Sequence, residues 1–150
     1  MKNEISVYCD GGARGNPGPA AIGFVVWQKG KIVHKFSKRI GVATNNVAEY
    51  RAVVAALEWL INQSTINYRS VAKAMERRRQ PSTINFFLDS QLIVNQLRGR
   101  FKIKNSNLQK LIIKVKNLDN ELGVKIDYHY VSRRQNRIAD ALVNQALNGL

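Results

Sequence analysis

Residues 4–40 read EISVYCDGGARGNPGPAAIGFVVWQKGKIVHKFSKRI, and this stretch decides the fold class. Its first residues alternate in polarity and are rich in β-formers, so we predict a strand that ends at Asp10. The glycines and prolines of 11–19 predict a loop. A second strand over 20–28 and a third over 31–40 are separated by a tight turn. The stretch therefore indicates an antiparallel meander of three strands.

The spacing of apolar residues changes after this meander. Over 46–60 they recur at helical intervals, which predicts the first helix, capped by Thr44 or Asn45. The remaining elements are predicted as a strand over 83–89, a helix over 90–97, a helix over 105–118, a strand over 124–131 and a helix over 136–147. The order βββαβααβα indicates an α/β fold with a five-stranded mixed sheet, its first three strands antiparallel, flanked by helices.

The segment 62–82 is longer than the usual connection between a helix and a strand. Apolar residues within it stand at helical spacing, and Pro81 would end such a helix. We predict a basic insertion, either a separate short helix or an extension of the preceding one. The 150 residues otherwise fit one compact domain over 1–150.

The chain carries a formal net charge of +14, which predicts a polyanionic partner, nucleic acid or an anionic membrane surface. No apolar run approaches the roughly 18 residues that cross a bilayer, and no apolar stripe opposes the basic residues, so we expect no membrane association. Most of the excess lies in 62–82, with a net charge of +4, and in 98–116, with +7. Both segments are predicted to follow a phosphate backbone.

Cysteine usage bears on the compartment. Cys9 is the single cysteine, so the sequence has neither a disulfide framework nor a cysteine-based zinc site. The first residues contain no secretory signal pattern. Both observations favour a cytoplasmic protein, which we expect to be a monomer.

Four of the ten acidic residues stand where α/β folds gather functional groups. We place Asp10 and Asp89 at strand ends, Glu49 in the first turn of the first helix and Asp140 in the first turns of the last. Taken singly, such acids also serve as turn formers, helix caps or partners of the helix dipole. Carboxylates that converge would hold Mg²⁺ or Mn²⁺, and two such ions can drive phosphoryl displacement.

Four strings in the chain resemble type 1 ribonuclease H. They cover nearly the whole sequence except 62–82, and they are YCDGGARGNPGPAAIGFVV (8–26), TNNVAEYRAVVAALEWL (44–60), LDSQLIVNQL (88–97) and YVSRRQNRIADALVNQA (130–146). The resemblance implies that family's five-stranded fold. It also implies metal-dependent endonucleolytic cleavage of the RNA strand of RNA/DNA hybrids, which leaves 5′-phosphate and 3′-hydroxyl ends.

By the same resemblance, the four carboxylates hold two Mg²⁺ ions, which Mn²⁺ can replace. Asp10 would bridge both ions and Asp89 would bind the ion that activates the attacking water. Glu49 would support the attacking side, and Asp140 would complete the second ion's shell on the leaving-group side. The ions would lower the pKa of the water and neutralise charge on the leaving oxygen.

The resemblance also implies residues that bind the hybrid by sensing the 2′-hydroxyl and base edges. They are Gly11, Gly12, Ala13, Asn16, Thr44, Asn45, Asn46 and Gln91. Asn16 is equally well explained as a turn former, and Thr44 and Asn45 as helix caps.

Two features depart from the family's pattern. The loop before the last helix, at 132–137, lacks the histidine found in many relatives, and Arg133 or Arg134 would partly stand in or contact a phosphate. Neither arginine can act as a base, because the guanidinium stays protonated. The basic, tryptophan-containing handle of some relatives is missing or minimal, since 98–105 runs directly into the next helix.

Two alternatives to this function fit the same residues less well. A nuclease of the same fold could cut double-stranded RNA or process RNA beside a reverse transcriptase. A non-catalytic nucleic-acid binder is disfavoured, because four clustered carboxylates without metal would repel phosphate.

Overall fold

The computed structural model describes residues 4–66, 83–100 and 102–149. In chain order its elements are β1 (Ile5–Ala13), β2 (Gly18–Gln28), β3 (Lys31–Ala43), α1 (Asn45–Ile66), β4 (Thr83–Leu88), α2 (Gln91–Leu97), α3 (Ser106–Leu122), β5 (Lys125–Tyr130), a short 3-10 helix (Arg133–Asn136) and α4 (Arg137–Leu147). The strands lie in the order β3-β2-β1-β4-β5. The first three pair antiparallel, whereas β1–β4 and β4–β5 pair parallel. The predicted order and mixed sheet are confirmed.

The two faces of the sheet are covered by different helices. Alternation along β2 sends Phe24 toward the main core and Ala21 toward α4. The main core lies between the sheet, α1 and α3, and its largest fully buried side chains include Tyr50, Phe86 and Leu57. On the opposite face, α4 packs against β1, β2 and β3. Asp140, on α4, therefore approaches the sheet from the face opposite to α1.

Side-chain and backbone caps define the helix ends. Thr44 caps α1, because its Oγ1 accepts a hydrogen bond from the Val47 N–H at 3.2 Å. Asn105 caps α3 in the same way, and that helix ends at Gly123, whose φ of 73° suits glycine. Of the two predicted caps for α1, Thr44 is the one that acts.

Strand β1 continues through the residues that the sequence assigned to a loop. Its last three residues pair with β2, so the connection shrinks to 14–17, and the predicted loop over 11–19 was wrong at both ends. Gly11 serves packing, because a Cβ at this position would overlap the backbone carbonyl of Ala48. Glycine therefore lets α1 lie directly against the strand.

The first helix is longer than its apolar spacing predicted. It extends from Asn45 to Ile66 and so enters the proposed insertion at 62–82. Residues 67–82 lie outside the described residues, so the insertion stays a prediction there. Within the described ranges, no helix is long and apolar enough to cross a bilayer.

Candidate active site

Two adjacent parallel strands bring Asp10 and Asp89 to the same place. The last β1–β4 pair joins Tyr8 to Phe87, and each aspartate lies two residues further along its own chain. Residues two apart face the same side of a sheet, so the two carboxylates are neighbours. Asp89 follows the end of β4, as predicted. Asp10 lies inside β1, three residues before its end, because β1 goes on pairing with β2 alone.

Helix α1 supplies the third carboxylate. Glu49 is the fifth residue of the helix, so it lies at the start of the second turn and not in the first, where it was predicted. The close approach at Gly11 places Ala48, and with it Glu49, against β1. As a result, carboxylate oxygens of Asp10, Glu49 and Asp89 lie within 4.8 Å of one another.

The fourth carboxylate joins this group through Asp10. Asp140 is in the first turn of α4, as predicted, and it stands outside the triplet of mutually close oxygens. It nevertheless shares a hydrogen bond with the Asp10 carboxyl and repels its charge. The structure therefore brings all four predicted acids to one site, three as a tight cluster and one beside it.

Burial and repulsion by neighbouring charges make Asp10 and Glu49 hard to ionise in the absence of a cation. Burial, then the charges of Asp89 and Asp140, raise the pKa of Asp10 from 3.8 to about 8. Burial and the charges of Asp10 and Asp89 also raise the pKa of Glu49 well above its ordinary value, whereas the guanidinium of Arg133 opposes that shift. Without a cation, Asp10 and Glu49 therefore keep their protons at pH values where ordinary carboxyl groups have lost them.

The cluster fits a hard divalent cation. Its donors are carboxylate oxygens, the ligands that Mg²⁺ and Mn²⁺ prefer. Glu49 is only 8% exposed. Its Oε2 is buried and has no hydrogen-bond partner among the described residues. A buried carboxyl oxygen without a hydrogen-bond partner is costly unless an ion or water meets it. Asp10, Glu49 and Asp89 are therefore suited to hold such an ion.

Without metal, the protein is expected to lose stability as the pH rises. The unfolded chain releases the Asp10 proton near pH 4, whereas the folded state keeps it until about pH 8, so the free energy of unfolding falls between those values. We expect a loss of several kcal/mol, since a pKa difference of one unit corresponds to about 1.4 kcal/mol, and Mg²⁺ should restore it. Urea denaturation in EDTA and in Mg²⁺, across this pH range, measures the effect.

The control for this experiment is Asp10→Asn, which cannot ionise. Burial also raises the pKa of Glu49 and of Asp119, so both residues contribute to the pH slope in both proteins. The difference in slope between wild type and variant therefore belongs to the Asp10 site. Equal slopes in EDTA would contradict the predicted ionisation of Asp10.

The predicted substrate residues near the β1–β2 connection form a hydrogen-bonded unit. The Ala13 N–H donates to Asn45 Oδ1 at 2.8 Å, and the Asn45 N–H donates to Asn16 Oδ1 at 3.0 Å. Both amides thus use their oxygens inside the protein, which leaves their NH₂ groups free to donate outward. The connection and the start of α1 form one polar rim beside the carboxylates.

The other predicted substrate residues differ in burial and lie on different elements. Gly11 is buried against α1, and Gly12 lies beside Val143 of α4. Asn46 is half-buried in the first turn of α1, and Gln91 is exposed at the start of α2, two residues after Asp89.

The two arginines of the 3-10 helix are exposed. Arg133 lies close enough to Glu49 to lower its pKa, and Arg134 follows it in the same turn. Arg133 therefore supplies positive charge next to the cluster.

Three of the seven basic residues in 98–116 are engaged within the protein. Arg98 donates to the Tyr128 carbonyl, Lys116 donates to the Leu97 carbonyl, and Lys114 pairs with Glu58 at 3.4 Å. The four others have no partner among the described residues, and they are Arg100, Lys102, Lys104 and Lys110. These four cations define the free basic surface of this segment.

One residue at the site was not predicted. Asn136 is 1% exposed and donates from Nδ2 to the Cys9 carbonyl at 2.8 Å and to Asp89 Oδ2 at 3.2 Å. The sequence signal lies in the string over 130–146, where Asn136 stands four residues before Asp140 and was assigned no role.

Comparisons with known proteins agree with this arrangement. A family model described as RNase H matches residues 2–148. The bifunctional protein Rv2228c of Mycobacterium tuberculosis is 35% identical over 147 residues, covering 97% of this chain and 36% of that protein. Ribonuclease HI of Halobacterium salinarum is 36% identical over 149 residues, covering 97% of this chain and 65% of that protein. The chain thus spans about a third of the first relative and less than two thirds of the second.

Solved structures give the same result. LC11-RNase H1, isolated from compost by a metagenomic approach, superposes with a TM-score of 0.84 at 36% identity, covering 98% of this chain and 97% of that chain. LC11-RNase H1 in complex with an RNA/DNA hybrid superposes with a TM-score of 0.83 at 35% identity, covering 97% of each chain.

Proposed function

The chain belongs to the RNase H family, and from this premise we propose that it hydrolyses the RNA strand of RNA/DNA hybrids. One observation carries the proposal: in a chain with a net charge of +14, the oxygens of Asp10, Glu49 and Asp89 gather within 4.8 Å of one another. A basic protein attracts a polyanion, and a carboxylate cluster within it is suited to metal-assisted cleavage of phosphodiesters.

Mg²⁺ is the proposed cofactor, with Mn²⁺ as a substitute. Asp10, Glu49 and Asp89 would hold the cation, and Asp140 would extend the site toward a second one. A bound cation pair supplies positive charge that stabilises the attacking and leaving oxygens of a phosphodiester. The chain's own contribution is to fix these four carboxylates on or next to four packed elements and to place Arg133 beside Glu49.

The polar rim is proposed to recognise the RNA strand. Since the oxygens of Asn16 and Asn45 are engaged, their NH₂ groups would donate to 2′-oxygens or to base acceptors in the minor groove. Gln91 and Asn46 would extend this contact on either side of the carboxylates, and the backbone of 11–13 would approach the sugar edge.

A duplex-specific cleavage assay tests the proposed function. Matched RNA/DNA, RNA/RNA and DNA/DNA duplexes are incubated with the protein in Mg²⁺, in Mn²⁺ and in EDTA. We expect cleavage of the RNA strand of the hybrid with either metal, none in EDTA, and products with 5′-phosphate and 3′-hydroxyl ends. Cleavage of RNA/RNA at an equal rate would replace the proposed substrate with double-stranded RNA. Binding without cleavage would indicate a non-catalytic binder.

The free basic surface is expected to govern the salt dependence of hybrid binding. Replacing both Lys102 and Lys104 with glutamine should reduce the slope of log K against log salt by about 2, since each phosphate contact adds close to one. Lys114→Gln is the matched control, because Lys114 is already paired with Glu58. Fluorescence anisotropy in EDTA measures both variants. An unchanged slope in the double variant would remove this surface from the binding site.

We further propose a monomeric protein in the cytoplasm. Cys9 is buried and burial raises the pKa of its thiol, so the group stays neutral and unreactive, as suits a reducing compartment. Light scattering at micromolar concentration measures the oligomeric state.

A further inference from the structure

Asn136 joins three elements of the candidate active site. The residue precedes α4, and its Nδ2 reaches the Cys9 carbonyl of β1 at 2.8 Å and Asp89 Oδ2 beyond β4 at 3.2 Å. The Cys9 carbonyl belongs to the peptide group that leads into Asp10. A side-chain amide has two N–H donors in one plane, so it can bind both acceptors at once.

The environment of Asn136 differs from that of an ordinary helix cap. It occupies the N-cap position of α4, yet its side chain makes no capping hydrogen bond. Its Oδ1 is buried without a partner among the described residues, which is a cost that a capping asparagine avoids. The side chain is therefore turned away from its own helix and toward the carboxylate cluster.

From this geometry we infer that Asn136 is a positioning residue, which holds the Asp89 carboxylate at a set distance from Asp10 so that both can bind one cation. This inference rests on the proposed function. Asp89 is only partly buried at the end of a strand, where its carboxylate could otherwise turn toward solvent. The Nδ2–Oδ2 bond selects one rotamer, and the bond to the Cys9 carbonyl ties that rotamer to β1. Partners that orient metal ligands raise metal affinity without touching the metal.

Calorimetric titration with Mg²⁺ is the direct test. For Asn136→Ala we expect Mg²⁺ binding to weaken by about 10- to 100-fold. The kcat for the hybrid should fall with KM little changed, because this amide is buried and would not touch the substrate. Asn136→Ser, whose hydroxyl can reach one acceptor at most, should lie between wild type and the alanine variant. It also carries the test if the alanine variant fails to fold at the assay temperature. Gln145→Ala, an exposed residue on the same helix, is the control for helix tolerance.

A double-mutant cycle separates positioning from a purely structural role. If Asn136 acts through Asp89, Asn136→Ala should cause no further loss of Mg²⁺ affinity in an Asp89→Asn background. An undiminished further loss would overturn the inference, and so would a variant that melts at a lower temperature but binds Mg²⁺ as wild type does. Mg²⁺ binding is measured without substrate. If the wild type failed to cleave hybrids, the proposed function would be refuted, but the effect of Asn136 on Mg²⁺ affinity could still be tested.

Discussion

Replacement of Asp10 with asparagine is expected to reduce hybrid cleavage by about 10³-fold or more. Asp10 is the one acid that interacts with the other three, since it is close to Glu49 and Asp89 and shares a hydrogen bond with Asp140. Asparagine has nearly the same shape as aspartate, but its side-chain oxygen carries no formal charge. The cation therefore loses a charged ligand at the centre of the cluster. Metal ions contribute several kcal/mol to the transition states of phosphoryl transfer, and each 1.4 kcal/mol is tenfold in rate.

Single-turnover cleavage of a hybrid in Mg²⁺ measures this loss, and anisotropy in EDTA measures binding. Hybrid affinity should be unchanged or increased, because one negative charge facing phosphate is removed. Asp127→Asn is the matched control, since Asp127 is a half-buried acid on β5 outside the cluster. The variant should also be more stable than the metal-free wild type near pH 8. Residual cleavage above about a tenth of the wild-type rate would refute the assigned role of Asp10.

Substitution of Gly11 with alanine is expected to destabilise the protein by about 3 kcal/mol or more. The added Cβ would overlap the backbone of Ala48 and approach the Glu49 nitrogen to 2.5 Å. Backbone atoms of a packed helix cannot rotate aside as a flexible side chain can, so α1 must shift away from β1. Because Glu49 moves with that shift, any folded fraction should also bind Mg²⁺ more weakly.

The adjacent glycine provides the control. A Cβ on Gly12 would meet only the Val143 side chain, at 3.8 Å, which is ordinary van der Waals contact. Gly12→Ala should therefore stay within about 0.5 kcal/mol of wild type. Urea denaturation of both variants gives the comparison. If the two alanine variants proved equally stable, close approach of α1 would not be the reason for glycine at position 11.

The element order was predictable because it depends on local periodicity. Alternation marked β1 to β3, and helical spacing marked α1, α3 and α4 without knowledge of tertiary contacts. The predictions were wrong where contacts between segments far apart in the chain determine the local structure. Gly11 looks like a turn residue in one dimension, and only the position of Ala48 shows that its missing side chain makes room for a helix. Asp10 was consequently placed at a strand end when the strand continues past it.

The candidate site was predictable to a similar extent. The sequence marked four acids, and the structure gathers them. The sequence could not reveal that the Asn136 side chain binds a carboxylate instead of capping its helix. Both uses require an asparagine at the same position. Nor could charge counting show that Arg98, Lys114 and Lys116 are engaged internally. Their partners lie up to 56 positions away in the chain, as Glu58 does from Lys114.

Arg39 joins the C-terminal end of α4 to the edge of the sheet by hydrogen bonds. This β3 side chain donates to the carbonyls of Ala146 and Leu147, while Arg14 bonds the Asn148 side chain. At the other end, Asn136 holds the start of the same helix. Helix α4, which carries Asp140, is therefore already fixed relative to the sheet when the protein has folded. Little configurational entropy is then left to be lost when a cation binds.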